Sequence, residues 1–86
     1  MQDLNKLPNI GPTLAGKLNE VGITSFEELE KMGSVAVVLQ IKDVDLSACY
    51  NMLYAIEGAI RGIRWHAIPK NERDRLKEKF DQIVIS

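Results

Sequence analysis

The sequence predicts an all-α protein, a single small domain over residues 1–86 made of five to six short helices. Three observations carry that reading. Apolar residues recur at three- and four-residue steps along the chain, the period of a helix with one buried face. Apolar-polar alternation bounded by turn residues is absent, so no strand is predicted. Gly, Pro, Ser and Asp punctuate the chain at short intervals, so the helices are short. At 86 residues and 45% hydrophobic composition the chain has enough for one thin core and too much for disorder.

The first helix is predicted over about Gln2 to Leu7. Pro8 stops it, because the residue before a proline is driven out of the helical region. Pro8-Asn9-Ile10-Gly11 reads as a tight turn, and Pro12 opens a second helix at the one position where its missing N–H costs nothing. That helix runs to about Val21 on a stripe of Leu14, Leu18 and Val21, and Gly22 closes it. Ile23 turns inward. Ser25 and Glu28 have the spacing of a capping box for a third helix with Phe26, Leu29 and Met32 as its apolar positions, ending at Gly33.

Ser34 is the expected cap of a fourth helix through Val35, Val38, Leu39 and Ile41. Lys42-Asp43-Val44-Asp45 interrupts the pattern. A fifth helix over roughly Leu46 to Ile63 carries the longest stripe, Leu46, Cys49, Leu53, Ile56, Ile60 and Ile63, and is the predicted central helix. A second stripe on it, Tyr50, Tyr54, Glu57 and Arg61, fits either an exposed partner surface or a face beneath the last helix. Gly62 and Trp65-His66 mark its exit. Pro69 starts a sixth helix with Leu76, Phe80 and Ile83 as its apolar face. The tail Ile83-Val84-Ile85 cannot turn all three side chains to one core, since neighbours on a helix point ~100° apart. It predicts weak homodimerisation through the sixth helix and tail.

Composition narrows the chemistry. Eleven Lys and Arg against twelve Asp and Glu leave a net charge of -1, without the basic excess of a dedicated nucleic-acid binder. Glu27, Glu28, Glu30, Asp43 and Asp45 outnumber Lys31 and Lys42, so an anionic ligand is expected to avoid the third and fourth helices. One cysteine and one histidine exclude a disulfide framework and the common zinc motifs. No cofactor and no catalytic group are expected: nothing pairs a nucleophile with a base, or an acid with a base. Trp65 reads as a core-edge residue, Cys49 as a small buried hydrophobe. A lone thiol, no basic-apolar start and no run of about 18 apolar residues point to the cytoplasm, with no membrane partner.

The stretch Leu7-Pro8-Asn9-Ile10-Gly11-Pro12, with Ala15, Leu18 and Gly22-Ile23 after it, resembles the helix-hairpin-helix motif of DNA-binding and repair proteins. Gly11 has no Cβ to hold a partner away, and a helix starting there aims its free N–H groups and positive dipole end out of the turn. The resemblance implies phosphate held by main-chain N–H groups at Gly11, Thr13 and Leu14, a salt link from Lys17 one turn on, and Lys6 flanking the turn. Ile10 plugs the turn into the core. Asn9 stands where the motif has a glycine, and asparagine tolerates left-handed geometry. Thr13 stands where a basic residue is common. On this reading Lys6, Asn9, Ile10, Gly11, Thr13, Leu14 and Lys17 form the candidate DNA-binding site, and Gly11→Val is expected to destabilise a strained turn.

The chain as a whole is similar to the C-terminal domain of the TfoX/Sxy family, named for a role in regulating natural transformation. The similarity rests on Leu7 to Pro12, Val21-Gly22-Ile23-Thr24, the run Tyr54 to Gly62, Trp65-His66 and Pro69. It implies a helical regulatory domain. The function expected is weak, sequence-independent contact with the phosphate backbone of double-stranded DNA. The rival is a protein-interaction module of the same fold that binds no DNA.

Overall fold

The computed structural model describes residues 4–41 and 46–85, with the side chains at positions 5, 46–49, 84 and 85 outside the description. A 3-10 turn over Leu4–Lys6 precedes helices α1 (Pro12–Glu20), α2 (Phe26–Met32), α3 (Ser34–Ile41) and α4 (Leu46–Arg61). A second 3-10 turn, Trp65–Ala67, leads into α5 (Lys70–Ile85). All described secondary structure is helical, as the apolar periodicity requires.

The helix boundaries follow local chemistry. Pro12 occupies the first turn of α1. The same C-terminal device closes α1 and α4. The Ile23 N–H donates to Leu18 O and the Gly22 N–H to Asn19 O, at 2.9 and 3.0 Å; the Ile63 N–H donates to Gly58 O and the Gly62 N–H to Ala59 O, at 2.9 and 3.2 Å. Both require a residue with positive φ, supplied by Gly22 at 86° and Gly62 at 75°. In α2 the Ser25 hydroxyl accepts from the Glu28 N–H at 3.2 Å, and the Glu28 carboxylate accepts from the Ser25 and Thr24 hydroxyls and the Thr24 N–H. The capping box therefore forms as expected and reaches one residue further back.

α3 is the innermost helix. It touches α1, α2, α4 and α5, and Val35, Val37, Val38 and Ile41 are all buried. Leu53, Ile56 and Ala59 of α4 meet it with no exposure, and Leu18, Leu29 and Phe80 close the core from α1, α2 and α5.

Four expectations change. The first predicted helix is only the 3-10 turn among the described residues, with 1–3 outside them. Ser34 is not a cap but the first residue of α3: it is 2% exposed and donates to Glu57 Oε1 at 2.7 Å. Burial satisfies the hydroxyl across helices rather than along its own. Gly11 is extended (φ -93°) and a Cβ there meets nothing within 4 Å, so Gly11→Val has no strained turn to break. The left-handed residue is Asn9, at φ 67°. Ile83, assigned to the apolar face of the last helix, is 46% exposed, because Leu76 and Phe80 already fill the contact with the core. The predicted loop acids Asp43 and Asp45, and the Leu46 and Cys49 side chains, lie outside the described residues.

Two outcomes follow. Gly58→Ala improves helix propensity, yet its Cβ would lie 2.5 Å from Asn9 Nδ2 and 2.8 Å from Ile63 O. Denaturant unfolding should show a loss of about 1–3 kcal/mol. The Glu28 carboxyl is held below the usual glutamate range by the Thr24 hydroxyl first, then the Thr24 N–H and the Ser25 hydroxyl. Its contribution is fully present above the unfolded value and lost as pH falls through the lowered folded one. Melting temperature followed from pH 6 downward should therefore fall less steeply in Glu28→Gln than in the parent.

Candidate nucleic-acid interface at the Pro8–Gly11 turn

The turn before α1 is held from behind. Asn9 Nδ2 donates to Ile63 O at 3.0 Å and to Ala55 O at 3.4 Å, and the Trp65 N–H donates to Asn9 Oδ1 at 3.2 Å. One amide thus satisfies the Trp65 N–H and the Ile63 carbonyl just beyond the end of α4, where backbone groups have no partner within the helix, and also reaches the Ala55 carbonyl inside it. The left-handed φ of Asn9 is what turns its side chain inward. Gly58 leaves room for it. Ile10 is buried beside it, 4% exposed.

In front, the turn is open. Gly11 is exposed, and as N-cap of α1 it makes no side-chain cap to the helix. Pro12 has no N–H, so the main-chain donors facing outward belong to Thr13 and Leu14. Thr13 is exposed, while the Leu14 side chain packs against the core. Lys17, half-buried, lies one turn after Thr13 on the same helix face, and Lys6 is exposed at the end of the first 3-10 turn.

The structure divides the seven predicted residues in two. Lys6, Gly11, Thr13 and Lys17 stand on or near the surface with the Leu14 N–H. Asn9 and Ile10 face inward and fix the turn. Sequence reasoning missed that Asn9 is a tether to residues 46 to 56 positions away. A signal was present in Gly58, a glycine inside the longest helix that signals close approach of another chain segment.

Behind the tether, an aromatic stack holds the corner between α4 and α5. Tyr54 and Trp65 stack at 6.2 Å between centroids, Trp65 and His66 at 4.0 Å, and the Arg73 guanidinium lies 5.6 Å from the Trp65 ring. Burial, then Asp74, raises the Tyr54 phenol above its ordinary value. The second stripe of α4 lies beneath α5. The Tyr50 hydroxyl donates to Asp81 at 2.6 Å, its ring meets Phe80 edge-on, and Arg61 bridges Glu57 at 2.8 Å and Glu72 at 2.6 Å. Hydrogen bonds that the Arg61 guanidinium donates to Glu57 and then Glu72 hold it above its ordinary value. Among the described residues no group of three His, Cys, Asp or Glu side chains is placed to hold a metal, and no helix is long and apolar enough to cross a membrane.

The sequence matches the family described as the TfoX C-terminal domain over residues 1–80. It is 32% identical over 81 residues to Protein Sxy of Escherichia coli (strain K12); the match covers 94% of this chain and 39% of Sxy, so the chain spans about two fifths of that relative. The fold is shared with the crystal structure of an uncharacterized protein from Listeria monocytogenes in a triclinic form, at TM-score 0.85 and 39% identity over 95% of this chain and 93% of that one. It is also shared with a tetragonal form of a Listeria monocytogenes protein of unknown function, at TM-score 0.83 and 40% identity over 94% of this chain and 99% of that one.

The tether gives a graded expectation. Asn9→Ala removes all three bonds and leaves at positive φ a residue that tolerates it less well than asparagine, a loss of about 2–4 kcal/mol. Asn9→Gly removes the bonds without the strain and should lose about 1 kcal/mol less. Chemical denaturation of the two variants checks the order.

Proposed function

Since the chain belongs to the TfoX C-terminal domain family, we propose that it is a non-catalytic, cytoplasmic regulatory module of the competence type that contacts double-stranded DNA through its phosphate backbone. The contact is made by the uncapped start of α1, and that missing cap is the observation that carries the reading. α2 closes its own N-terminus with Ser25, whereas α1 presents an exposed glycine and a proline. The Thr13 and Leu14 N–H groups are left to a partner, and an anion suits the positive end of the helix. Lys17 and Lys6 add charge on either side.

Contacts of this kind position a protein on the duplex without reading bases. They also tolerate a net charge of -1, because only the surface around the turn faces the phosphates while the acidic α2 lies elsewhere in the chain. The rival reading, a protein-interaction module without DNA binding, draws its support from that same net charge and from the exposed Met32 and Ile83.

The two readings part in a salt series with random duplex DNA. Binding through the turn should be weak and independent of sequence, with a log-log salt slope of about -2 to -4 at ~0.9 per neutralised phosphate. Gly11→Val fills open space, so it should change stability by no more than about 1 kcal/mol. It should nonetheless lower affinity by keeping phosphate from the main chain. Lys17→Glu should weaken binding to all sequences equally. A preference for one sequence, or full affinity in both variants, would reject the turn as the interface.

A further inference from the structure

The charges of this chain are unevenly placed. Of its eleven Lys and Arg, five fall in residues 4–19 and 58–71, and these two segments contain no Asp or Glu. The other six cations share the rest of the chain with all twelve carboxylates. The first segment holds the Pro8–Gly11 turn and nearly all of α1; the second holds the end of α4 and the Trp65–Ala67 turn. Glu57 and Glu72 border the second segment, and both are bound to Arg61, which is thereby occupied within the protein.

Asn9 joins the two segments at Arg64. Its Nδ2 donates to Ile63 O at 3.0 Å and its Oδ1 accepts from the Trp65 N–H at 3.2 Å. Those are the peptide groups on either side of Arg64, so the amide holds the Arg64 Cα within about 6 Å of itself. Gly11 is two residues beyond Asn9. The open start of α1 and the Arg64 backbone therefore span at most about five phosphates of one strand, at ~3.4 Å of axis each.

The Arg64 side chain is exposed, and none of the ion pairs among the described residues engages it. Arg73, by contrast, lies on the Trp65 ring with its Nε buried. Trp65 stacks with both Tyr54 and His66, so the backbone that carries Arg64 is braced by rings as well as by Asn9. A cation on a fixed backbone loses little freedom when it is bound.

We propose that Arg64 makes a second contact to the phosphate backbone of duplex DNA, beside the one at the Pro8–Gly11 turn; this inference rests on the phosphate reading of that turn. A guanidinium offers paired N–H donors that match phosphate oxygens. Asn9 then sets the spacing between two anion contacts, and the carboxylates of the chain lie outside both segments that carry them.

Titration of a random-sequence duplex into the intact chain, from about 20 to about 200 mM salt, tests the proposal. Arg64→Ala should weaken binding roughly threefold to tenfold at the lowest salt and reduce the magnitude of the log-log slope by about 0.9. Arg64→Lys keeps the charge and should keep the slope. Lys31→Ala removes an equal charge from the acidic α2 and should leave both affinity and slope unchanged. Emission of Trp65, the chain's one tryptophan, should be the same in the free Arg64 variants as in the free parent, because the ring stack is intact. An unchanged slope in Arg64→Ala, or an equal loss in Lys31→Ala, would overturn Arg64 as a contact. If Gly11→Val and Lys17→Glu weaken binding while Arg64→Ala does not, the turn stands and the second contact falls. If Arg64→Ala weakens binding while both turn variants bind fully, the second contact stands and the turn falls. A parent that binds no duplex overturns both.

Discussion

The tether at Asn9 is the constraint on which the rest of the structure depends. A single amide, turned inward by its left-handed backbone, joins the front of the first α-helix to the exit of the central one. It works only because Gly58 leaves space and Ile63 and Trp65 have left the helix, with backbone groups still needing partners. Three sequence-distant elements thereby share one hydrogen-bonded point. The open side of the turn is the consequence: with Asn9 and Ile10 directed into the protein, the chain runs on through Gly11 to a helix start that no side chain closes.

Around that point the protein is arranged as an inner helix with covers. α3 is apolar nearly all round because it has neighbours on several sides, and the amphipathic helices lay single stripes against it. Polar links stitch the covers together. Ser34, Glu57, Arg61 and Glu72 form one chain of contacts through α3, α4 and α5. The exposed part of that chain contributes modestly in water, whereas the buried Ser34 hydroxyl needs its partner. The structure therefore has two different outer regions: an open turn flanked by lysines, and a groove lined by Met32, Leu39, Leu76 and Ile83.

For the proposed contact with DNA, a net charge of -1 is no obstacle. Charge is local: α2 carries Glu27, Glu28 and Glu30 against Lys31, and the cations Lys6 and Lys17 flank the turn. What matters for a phosphate is the field within about 10 Å, the screening length near physiological salt, rather than the sum over the chain.

The sequence by itself determined the helical class, the order of helices, and most of their ends, because those depend on neighbours a few residues apart. Pro12, Gly22, Gly62 and the Ser25–Glu28 pair act within one or two turns, and period alone reveals Leu18, Leu29, Leu53, Ile56 and Phe80 as core. Tertiary structure decided everything that depends on separation in space. It turned Asn9 from a tolerated substitute for glycine into a tether across 54 and 56 positions. It laid Tyr50 under α5, linked the exposed Arg61 to Glu72 of that helix, gave Ser34 to Glu57 rather than to a helix cap, and left Ile83 at the surface although its period marked it as buried. A stripe shows that a face is apolar; only the other helices, once packed, decide whether enough core remains to cover it.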